Sequence, residues 1–292
     1  MKKIILESEY LNITDTLYCG QVFRFKPHKH GFFVFSADKC AFCYNDEKNA
    51  VIECDESDEK YFYNYFDCER DYKSIIDKAN QSCYQIVKDC AEMGKGIRIL
   101  NQNQTETLFS FIVSQNNNIP RIKNTIEKLC EGLGEKKKFY DLEYNAFPSA
   151  DAFNKASDEF LYSTGLGYRV PYVKKLAKDI KSGEFSVENI ALLSTIELKN
   201  ALTKLYGVGA KVADCVALFG YHRSDSFPVD TWIEKVYKQD FNGELTDRKK
   251  ISDWFLKTFG QNAGYVQQYL FYYKRSNDKT VKKSVDQNNT HE

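Results

Sequence analysis

The feature that most constrains the fold of this chain is a glycine-containing turn between two apolar helical repeats at residues 198–219. Apolar side chains recur at helical spacing on both sides of the turn, at Leu198, Leu202 and Leu205 before it and at Val212, Val216 and Phe219 after it. Gly207 and Gly209 lie between the repeats, where glycine permits a positive φ and lets a phosphate approach the backbone closely. We therefore predict a helix-hairpin-helix. Unpaired amides open its second helix, so we expect phosphate contacts at Gly207, Gly209 and Val212.

Two ionisable residues accompany this hairpin. Lys211 lies in the first turn of the second helix, and Asp230 follows nineteen positions later in Pro228-Val-Asp. A helix of about ten residues carries the chain roughly 15 Å away and about nine extended residues return roughly 30 Å, so Asp230 can come back beside Lys211. An amine and a carboxylate on a DNA-binding hairpin can attack a sugar C1′ and form a Schiff base. Taken singly, Lys211 is more often a phosphate contact and Asp230 a helix N-cap, but their joint occurrence favours the chemical interpretation.

The composition is that of a globular protein of the cytosol. At 292 residues with 42% hydrophobic side chains, the chain can fill two domains or one domain with an appendage. No apolar run approaches a membrane span, and the first residues lack a signal-peptide pattern. Nine cysteines, an odd number scattered singly, indicate reduced thiols. The formal net charge of zero gives no indication of a nucleic-acid partner, so any DNA-binding surface has to be a local patch.

The N-terminal part of the chain has the pattern of an antiparallel sheet. Between residues 1 and 55, β-forming segments alternate with short polar turns, and helical periodicity begins near Asp58. We predict an N-terminal antiparallel β domain with flanking helices over residues 1–100. A zinc site is an alternative for four side chains in this part, namely His28, His30, Cys40 and Cys43. Their order is unlike common zinc-finger spacings, so packed thiols on a sheet are the preferred interpretation.

The rest of the chain is predicted to be helical. Apolar periodicity indicates helices near 105–114, 121–130, 171–182, 193–204, 210–220, 230–239, 247–259 and 262–274. The predicted fold class is therefore α+β and mainly α. In it, the N-terminal antiparallel β-sheet domain precedes an all-helical region, residues 101–275, that contains the helix-hairpin-helix. Residues 276–292 contain a single Val among polar residues and are predicted to be a disordered tail.

Two further turns carry side chains suited to a nucleic-acid duplex. In Gln115-Asn-Asn-Asn-Ile-Pro-Arg, Asn116 can bond base edges and Arg121 can bind a base acceptor or a phosphate, although a polar turn ended by Pro120 is an equally good interpretation. In Thr164-Gly-Leu-Gly-Tyr-Arg, a glycine-rich loop presents Tyr168 and Arg169. These two residues suit either a plain helix entry or a stacking wedge beside a base reader.

Together these motifs resemble the helix-hairpin-helix (HhH-GPD) glycosylases of base-excision repair, and more specifically the 8-oxoguanine DNA glycosylase/AP lyase family. The resemblance rests on five segments: Cys19-Gly-Gln-Val-Phe-Arg, Asn116-Asn-Asn-Ile-Pro-Arg, Gly165-Leu-Gly-Tyr-Arg, Gly207-Val-Gly-Ala-Lys-Val-Ala-Asp-Cys with Pro228-Val-Asp, and Gln267-Gln-Tyr-Leu-Phe. They occur in the family's order between Gly20 and Phe271, so the resemblance covers most of the chain.

The resemblance implies catalytic and base-binding roles. Lys211 is the expected nucleophile, and Asp230 is expected to stabilise the positive charge that develops on the sugar. The expected lesion pocket is lined by Gly20, Cys215, Gln267 and Phe271. Of these, Gly20 offers a carbonyl to the N7–H of 8-oxoguanine, where guanine presents a lone pair and leaves both groups unpaired. The amide of Gln267 bonds the Watson–Crick edge, while the Cys and Phe side chains pack on the two faces of the base.

The resemblance also implies contacts with the rest of the duplex. Asn116 and Tyr168 are expected to fill the gap left by the extruded base, and Arg121 and Arg169 to read the opposite cytosine. The chain departs from the family pattern at Trp232, where a His is usual, and at Lys274, where an Asp is usual. Since those two family residues pair with each other, we hypothesise a cation–π contact between Trp232 and Lys274 in their place.

The implied function is excision of 8-oxoguanine opposite cytosine by base flipping, a Schiff base on Lys211 and strand nicking through β-elimination. The implied partner is double-stranded DNA that contains 8-oxoguanine, bound by a monomer with no membrane involved, inside the cell where the DNA is. No metal or organic cofactor is required, and a monovalent cation at the hairpin carbonyls is compatible with the scheme. The alternatives are a glycosylase for another oxidised or alkylated base and a non-catalytic DNA-binding module. Iron–sulfur relatives are disfavoured because no cysteine follows Cys215.

Overall fold

The computed structural model describes residues 1–277, which combine one five-stranded antiparallel sheet with a larger set of helices. The strands of the sheet are β1 (Lys2–Glu7), β2 (Phe25–His28), β3 (Gly31–Ser36), β4 (Lys39–Asn45) and β5 (Asn49–Cys54), in the spatial order β1-β5-β4-β3-β2. Short turns join β2 to β3, β3 to β4 and β4 to β5. The first strand pairs with β5 and places Lys2 opposite Cys54 and Glu7 opposite Asn49.

The two faces of the sheet pack against different parts of the molecule. Successive side chains of a strand point to opposite faces, so β3 sends Val34 to one cluster and Phe33 to the other. The first cluster includes side chains of α1 (Ile13–Tyr18) and α2 (Glu59–Tyr65). Cys43 lies in this cluster and Cys40 in the opposite one. Residues 1–277 contain no group of three or more His, Cys, Asp or Glu side chains that could hold a metal ion.

Helices make up most of the remaining chain. They are α3 (Tyr72–Asn80), α4 (Gln85–Met93), α5 (Gln104–Ser114), α6 (Ile119–Leu133), α7 (Ala150–Lys155), α8 (Asp158–Ser163), α9 (Val170–Ser182), α10 (Val187–Ile190), α11 (Thr195–Thr203), α12 (Ala210–Gly220), α13 (Thr231–Asp240), α14 (Arg248–Phe259) and α15 (Ala263–Asn277). The α+β, mainly α fold class is confirmed. Each predicted helix is present with ends that differ by a few residues, while α7 and α8 are short and were not predicted.

The region predicted to be all-helical contains one exception, so that part of the prediction is wrong. Strands β6 (Lys136–Phe139) and β7 (Leu142–Asn145) form a hairpin, and Tyr140 in its turn has a φ of +53°. The hairpin packs its apolar side chains on the outer face of the large sheet, where the Phe139 and Phe33 rings meet edge to face with centroids 6.3 Å apart. Burial of these side chains therefore favours a strand at a segment that carries no helical periodicity.

Contacts between the N-terminal part and α15 join segments that lie far apart in the sequence. The Gln268 Nε2 atom on α15 donates to the carbonyl of Cys19 at 2.9 Å, and the Tyr272 hydroxyl donates to the carboxylate of Asp15 at 2.7 Å. These bonds hold the loop after α1 against α15, which positions one wall of the site described below. We retain the division of the chain near residue 100 as a proposal.

A buried ion pair also ties the sheet to the helices. Arg24 Nη1 lies 3.1 Å from Glu106 Oε2, and both side chains are less than a tenth exposed. Burial raises the pKa of Glu106, and the neighbouring Arg24 guanidinium opposes that rise. Removal of either side chain leaves the other charge buried without its partner, which is costly. The ion pair therefore fixes the position of α5 relative to the sheet.

No helix within residues 1–277 has the length and apolar character needed to cross a membrane. The predicted tail begins at residue 276, but Ser276 and Asn277 belong to α15. The rest of that predicted tail lies outside the described residues.

Candidate active site

One small cavity collects six of the residues predicted to carry the chemistry and to bind the base, from Gly20 near one end of the chain to Phe271 near the other. Its walls come from the loop after α1, from α5, α12 and α15, and from the loop before α13. They are formed by Gly20, Phe111, Lys211, Cys215, Phe219, Pro228, Asp230, Gln267, Gln268 and Phe271. The cavity has a volume of about 60 Å³. Pockets for small ligands usually have volumes of about 300 Å³ or more, so this cavity is small.

Lys211 enters the cavity from the first turn of α12. Its side chain is half-buried, and the Nζ atom lies 5.6 Å from the centroid of the Phe111 ring. Cys215 follows one helical turn later on the same face of α12. Burial raises the pKa of the Cys215 thiol to about 11, while the neighbouring Lys211 ammonium limits the rise. The thiol therefore stays protonated at neutral pH and is a poor nucleophile there.

Asp230 is fixed by the start of α13. It is the N-cap residue of that helix, and its Oδ1 atom accepts hydrogen bonds from the backbone N–H groups of Trp232 and Ile233, both at 2.9 Å. Asp230 is therefore both a helix N-cap and a residue of the cavity wall. Asp230 lines the same cavity as Lys211, but among the described residues the two charges form no direct ion pair. The N-capping hydrogen bonds thus hold the Asp230 carboxylate in one orientation, in the cavity that it shares with Lys211.

Gly20 forms a wall that only glycine can provide. Its φ is +92°, and an added Cβ would lie 2.9 Å from both Phe271 Cε1 and Arg275 Nη1. A side chain at this position would therefore be strained and would collide with α15. The close approach of Gly20 to the edge of the Phe271 ring brings the loop after α1 to the side of the cavity opposite α12.

Two neighbouring glutamines lie in the same cavity wall, although the sequence predicted only one of them. The Gln267 amide nitrogen donates to the carbonyl of Pro228 at 3.3 Å, and its Oε1 atom is buried without a hydrogen-bond partner in residues 1–277. Gln268 instead holds the carbonyl of Cys19. Gln267 is therefore the one with free capacity toward a ligand, and Gln268 keeps the Gly20 wall in place.

The predicted helix-hairpin-helix is present between α11 and α12. Gly207 has a φ of +83°, and an added Cβ would lie 2.3–2.6 Å from three atoms of the Tyr172 ring. Gly209 is the N-cap of α12 and contributes no side chain to the first-turn amides, which include that of Val212. The Val212 side chain is buried, so only its backbone is available to a phosphate. The hairpin thus presents unpaired N–H groups at a helix N-terminus directly beside Lys211.

The residues predicted to contact the duplex lie together outside the cavity. Asn116, with a φ of +46°, lies in the turn after α5, and Arg121 is exposed in the first turn of α6, which Asn118 caps. Tyr168 is 52% exposed, and its hydroxyl donates to the carbonyl of Gln115 at 3.3 Å. The turn after α5 and the loop before α9 are therefore joined into one exposed edge.

The prediction that Arg169 is presented on the surface beside Tyr168 is wrong for this structure, because the Arg169 side chain is 4% exposed. Its guanidinium donates to the carbonyls of Leu166, Gln115 and Asn116, and it stacks with Cζ 4.4 Å from the Tyr168 ring centroid. These hydrogen bonds to carbonyls use the donors of the Arg169 guanidinium and hold it inside the protein. Its predicted contact with the opposite base stays a prediction, and it requires the guanidinium to exchange these partners.

The hypothesised contact between Trp232 and Lys274 is also wrong. Lys274 Nζ lies 2.8 Å from a carboxylate oxygen of Asp240, and the Trp232 ring is covered by Lys235, whose Nζ is 5.3 Å from its centroid. The carboxylate is the stronger partner for the Lys274 ammonium, so each residue finds a separate neighbour.

Four residues that line the cavity were not predicted to belong to the site: Phe111, Phe219, Pro228 and Gln268. The rings of Phe111 and Phe219 stack with centroids 5.6 Å apart, which forms one apolar wall beside Lys211. Both phenylalanines satisfy the apolar periodicity of their helices, and that periodicity cannot distinguish a core side chain from a cavity wall.

Comparisons with known proteins agree with this arrangement. Residues 3–108 match the family described as 8-oxoguanine DNA glycosylase, N-terminal domain, and residues 109–259 match the HhH-GPD superfamily of base excision DNA repair proteins. The chain is 28% identical over 204 residues to a probable N-glycosylase/DNA lyase of Methanothermobacter thermautotrophicus, with 63% of this chain and 65% of that protein covered. It is 32% identical over 212 residues to the N-glycosylase/DNA lyase of Saccharomyces cerevisiae, with 61% and 56% covered.

A solved structure gives a longer match. The 8-oxoguanine glycosylase/lyase of Clostridium acetobutylicum, in complex with double-stranded DNA containing cytosine opposite 8-oxoG, superposes with a TM-score of 0.88 at 33% identity. That match covers 94% of this chain and 98% of the solved chain. Against the two curated relatives, by contrast, the chain spans only 65% and 56% of their length.

Proposed function

Since the chain belongs to the HhH-GPD superfamily of base excision DNA repair proteins, we propose that it is a bifunctional DNA glycosylase and AP lyase that excises 8-oxoguanine opposite cytosine. The observation that carries this proposal is the shared cavity, in which Lys211 and Asp230 meet Gly20, Cys215 and six further residues. A DNA-binding module without catalysis has no need for a half-buried amine in such a cavity.

The first step of the proposed reaction is extrusion of the damaged nucleotide. The exposed edge formed by Asn116 and Tyr168 fills the space that the base leaves in the stack, and Arg121 contacts the orphaned cytosine. The hairpin amides at Gly207 and Gly209 hold the backbone phosphates near the lesion. These residues lie outside the cavity, so they bind the duplex while the flipped nucleotide reaches Lys211.

The extruded base then enters the cavity between α12 and α15. Cys215 on α12 and Phe271 on α15 supply the two faces, and the unpaired Oε1 of Gln267 accepts a hydrogen bond from the base's Watson–Crick edge. Since the cavity holds about 60 Å³ in the absence of DNA, it has to widen for a purine. Phe271 is only half-buried at the end of one wall, which makes its ring the side chain best able to move.

The chemical step uses the neutral amine of Lys211. The lone pair of the amine forms a C–N bond at C1′ while the glycosidic bond breaks. The base leaves with the electron pair of the glycosidic bond and takes up a proton. Asp230, held by the N-terminus of α13, stabilises the positive charge that develops on the sugar. The nitrogen then loses a proton, its lone pair forms the C=N bond as the C1′–O4′ bond breaks, and O4′ takes up a proton, which gives a protonated imine on Lys211.

The same lysine then promotes strand cleavage. The imine acidifies the C2′–H bond, a base removes that proton, and the electron pair forms a C2′–C3′ double bond as the 3′ phosphate leaves. Water finally hydrolyses the imine and restores the amine. No step of this scheme needs a metal ion or an organic cofactor.

The test is a single-turnover assay on duplexes with one defined base pair. We expect base release and strand nicking on 8-oxoguanine opposite cytosine, with little release on guanine opposite cytosine or on an alkylated purine. Lys211→Gln abolishes both products, whereas Lys204→Gln, which changes an exposed lysine just before the hairpin, retains them. Equal release of an alkylated purine, or nicking by Lys211→Gln, contradicts the proposal.

A further inference from the structure

A cation without a partner lies behind the Gly20 wall of the cavity. Arg275 is on α15 one helical turn after Phe271, and its Nη1 atom is closed off from solvent with no hydrogen-bond partner among residues 1–277. This atom lies 2.9 Å from the position that a Cβ on Gly20 would take. The donor is therefore directly behind the residue that faces the edge of the proposed lesion base.

Among residues 1–277, no carboxylate forms a salt bridge with Arg275 or with Lys123. The charge of Arg275 instead acts on another cation, Lys123 of α6, whose Nζ is 3.3 Å from the Phe25 ring centroid. Burial, and then the charge of Arg275, lowers the pKa of Lys123 to about 8. Burial likewise lowers the pKa of Arg275. Desolvation and mutual repulsion destabilise two cations that share a half-buried site without an anion, and a hydrogen-bond acceptor placed there stabilises them.

The free polar atoms of the site are complementary to an oxidised purine. Gln267 Oε1 is an unpaired acceptor and Arg275 Nη1 an unpaired donor, and both adjoin the cavity walls formed by Gly20 and Phe271. A buried polar atom without a partner is costly, so each such atom calls for an explanation, and a bound ligand is one. An oxidised guanine carries donors on its Watson–Crick edge and carbonyl oxygens at C6 and C8, on either side of N7.

We propose that Arg275 is a lesion-reading residue whose Nη1 donates to a carbonyl oxygen flanking N7 of the extruded base. This inference rests on the proposed function, since it needs the base to enter with its N7 edge at Gly20. A backbone phosphate is a poorer match for this donor, because Nη1 is enclosed by Gly20 and the edge of the Phe271 ring. The flat edge of a base reaches such a position, and a tetrahedral phosphate does not.

The experiment separates base reading from every other contribution of Arg275. Single-turnover rates are measured for release of 8-oxoguanine and for cleavage of a preformed abasic site, which has the same phosphates but no base. For Arg275→Met we expect base release to slow by about ten- to a hundred-fold, the range for loss of a hydrogen bond from a charged group. Abasic-site cleavage stays at the wild-type rate.

Two controls distinguish this role from net charge and from folding. Lys123→Met removes the neighbouring cation without touching the Gly20 wall, and both rates are expected to stay at the wild-type level. The melting temperature of Arg275→Met is expected to hold or to rise, because a buried unpaired charge is replaced by an apolar side chain. A fall in melting temperature together with a loss of both activities shows a structural role and overturns the inference.

The remaining outcomes are equally decisive. If Arg275→Met slows both reactions to the same extent with its melting temperature intact, the contact is to a phosphate and the inference is wrong. If Arg275→Met matches wild type in both reactions, only the inference fails. If the wild-type protein neither releases the base nor cleaves an abasic site, the proposed function fails and the inference fails with it.

Discussion

Replacement of Gly207 by alanine tests whether the hairpin binds DNA through the geometry described above. At a φ of +83°, a Cβ on this residue would lie 2.3–2.6 Å from three atoms of the Tyr172 ring, closer than real Cβ contacts come. The Tyr172 ring meets the Tyr206 ring with centroids 5.0 Å apart and the Tyr168 ring with centroids 6.0 Å apart, so its displacement also moves these two rings. Gly207→Ala therefore displaces either the hairpin or the exposed edge at Tyr168.

The matched control is Gly183→Ala. Gly183 has a φ of +78°, and an added Cβ there meets nothing within 4 Å. Both substitutions carry the cost of a left-handed alanine, roughly 1–2 kcal/mol of the free energy of unfolding. Only Gly207→Ala also moves the amides that we propose to contact phosphate. A hydrogen bond to a charged group is worth about 1.5–3 kcal/mol, so loss of one weakens DNA binding by about ten- to a hundred-fold.

Fluorescence anisotropy with an undamaged labelled duplex measures this difference, because the hairpin contacts backbone and not bases. We expect Gly183→Ala to bind as wild type and Gly207→Ala to bind more weakly, with both variants folded by circular dichroism. If Gly207→Ala and Gly183→Ala bind the duplex with equal affinity, the assignment of the hairpin as the phosphate-binding element is refuted.

Three further perturbations follow from the structure. Iodoacetamide is expected to label Cys83 alone in the native protein, since the other eight cysteines are buried; early mass-spectrometric detection of a second adduct contradicts this. Asp230→Asn keeps a capping oxygen, so its melting temperature is expected to stay near wild type while single-turnover base release slows; an unaltered rate argues against a role for the carboxylate. Arg24→Met leaves the Glu106 charge buried and unpaired, and we expect about 3–5 kcal/mol less stability in urea unfolding; Arg24→Met with Glu106→Gln is expected to recover part of the loss, and no recovery refutes the coupling.

Hydrophobic periodicity predicted the helices and strands wherever a segment packs on one side. It identified the helix-hairpin-helix because two apolar repeats flank Gly207 and Gly209, and both glycines lie where the chain turns. It missed the β6–β7 hairpin, whose apolar side chains pack with Phe33 and other side chains on the distant sheet. A strand stabilised by residues a hundred positions away leaves little trace in its own sequence.

The candidate site was predictable where a residue type follows from local chemistry. Lys211 and Asp230 could be identified because their spacing allows the chain to return, and the structure places both in one cavity. Arg169 could not be placed, because its burial depends on carbonyls of the turn after α5. Arg275 carried no signal at all, since its unpaired donor is defined only by the approach of α15 to Gly20.

The most direct test of the central claim is borohydride trapping on a duplex with a single 8-oxoguanine opposite cytosine. Borohydride reduces only an imine to a stable crosslink, so the account predicts a covalent complex with wild type and with Lys204→Gln. It predicts none with Lys211→Gln and none with undamaged duplex, and peptide mapping should place the adduct on Lys211. Base release without any crosslink, or a crosslink on a different residue, would contradict the account.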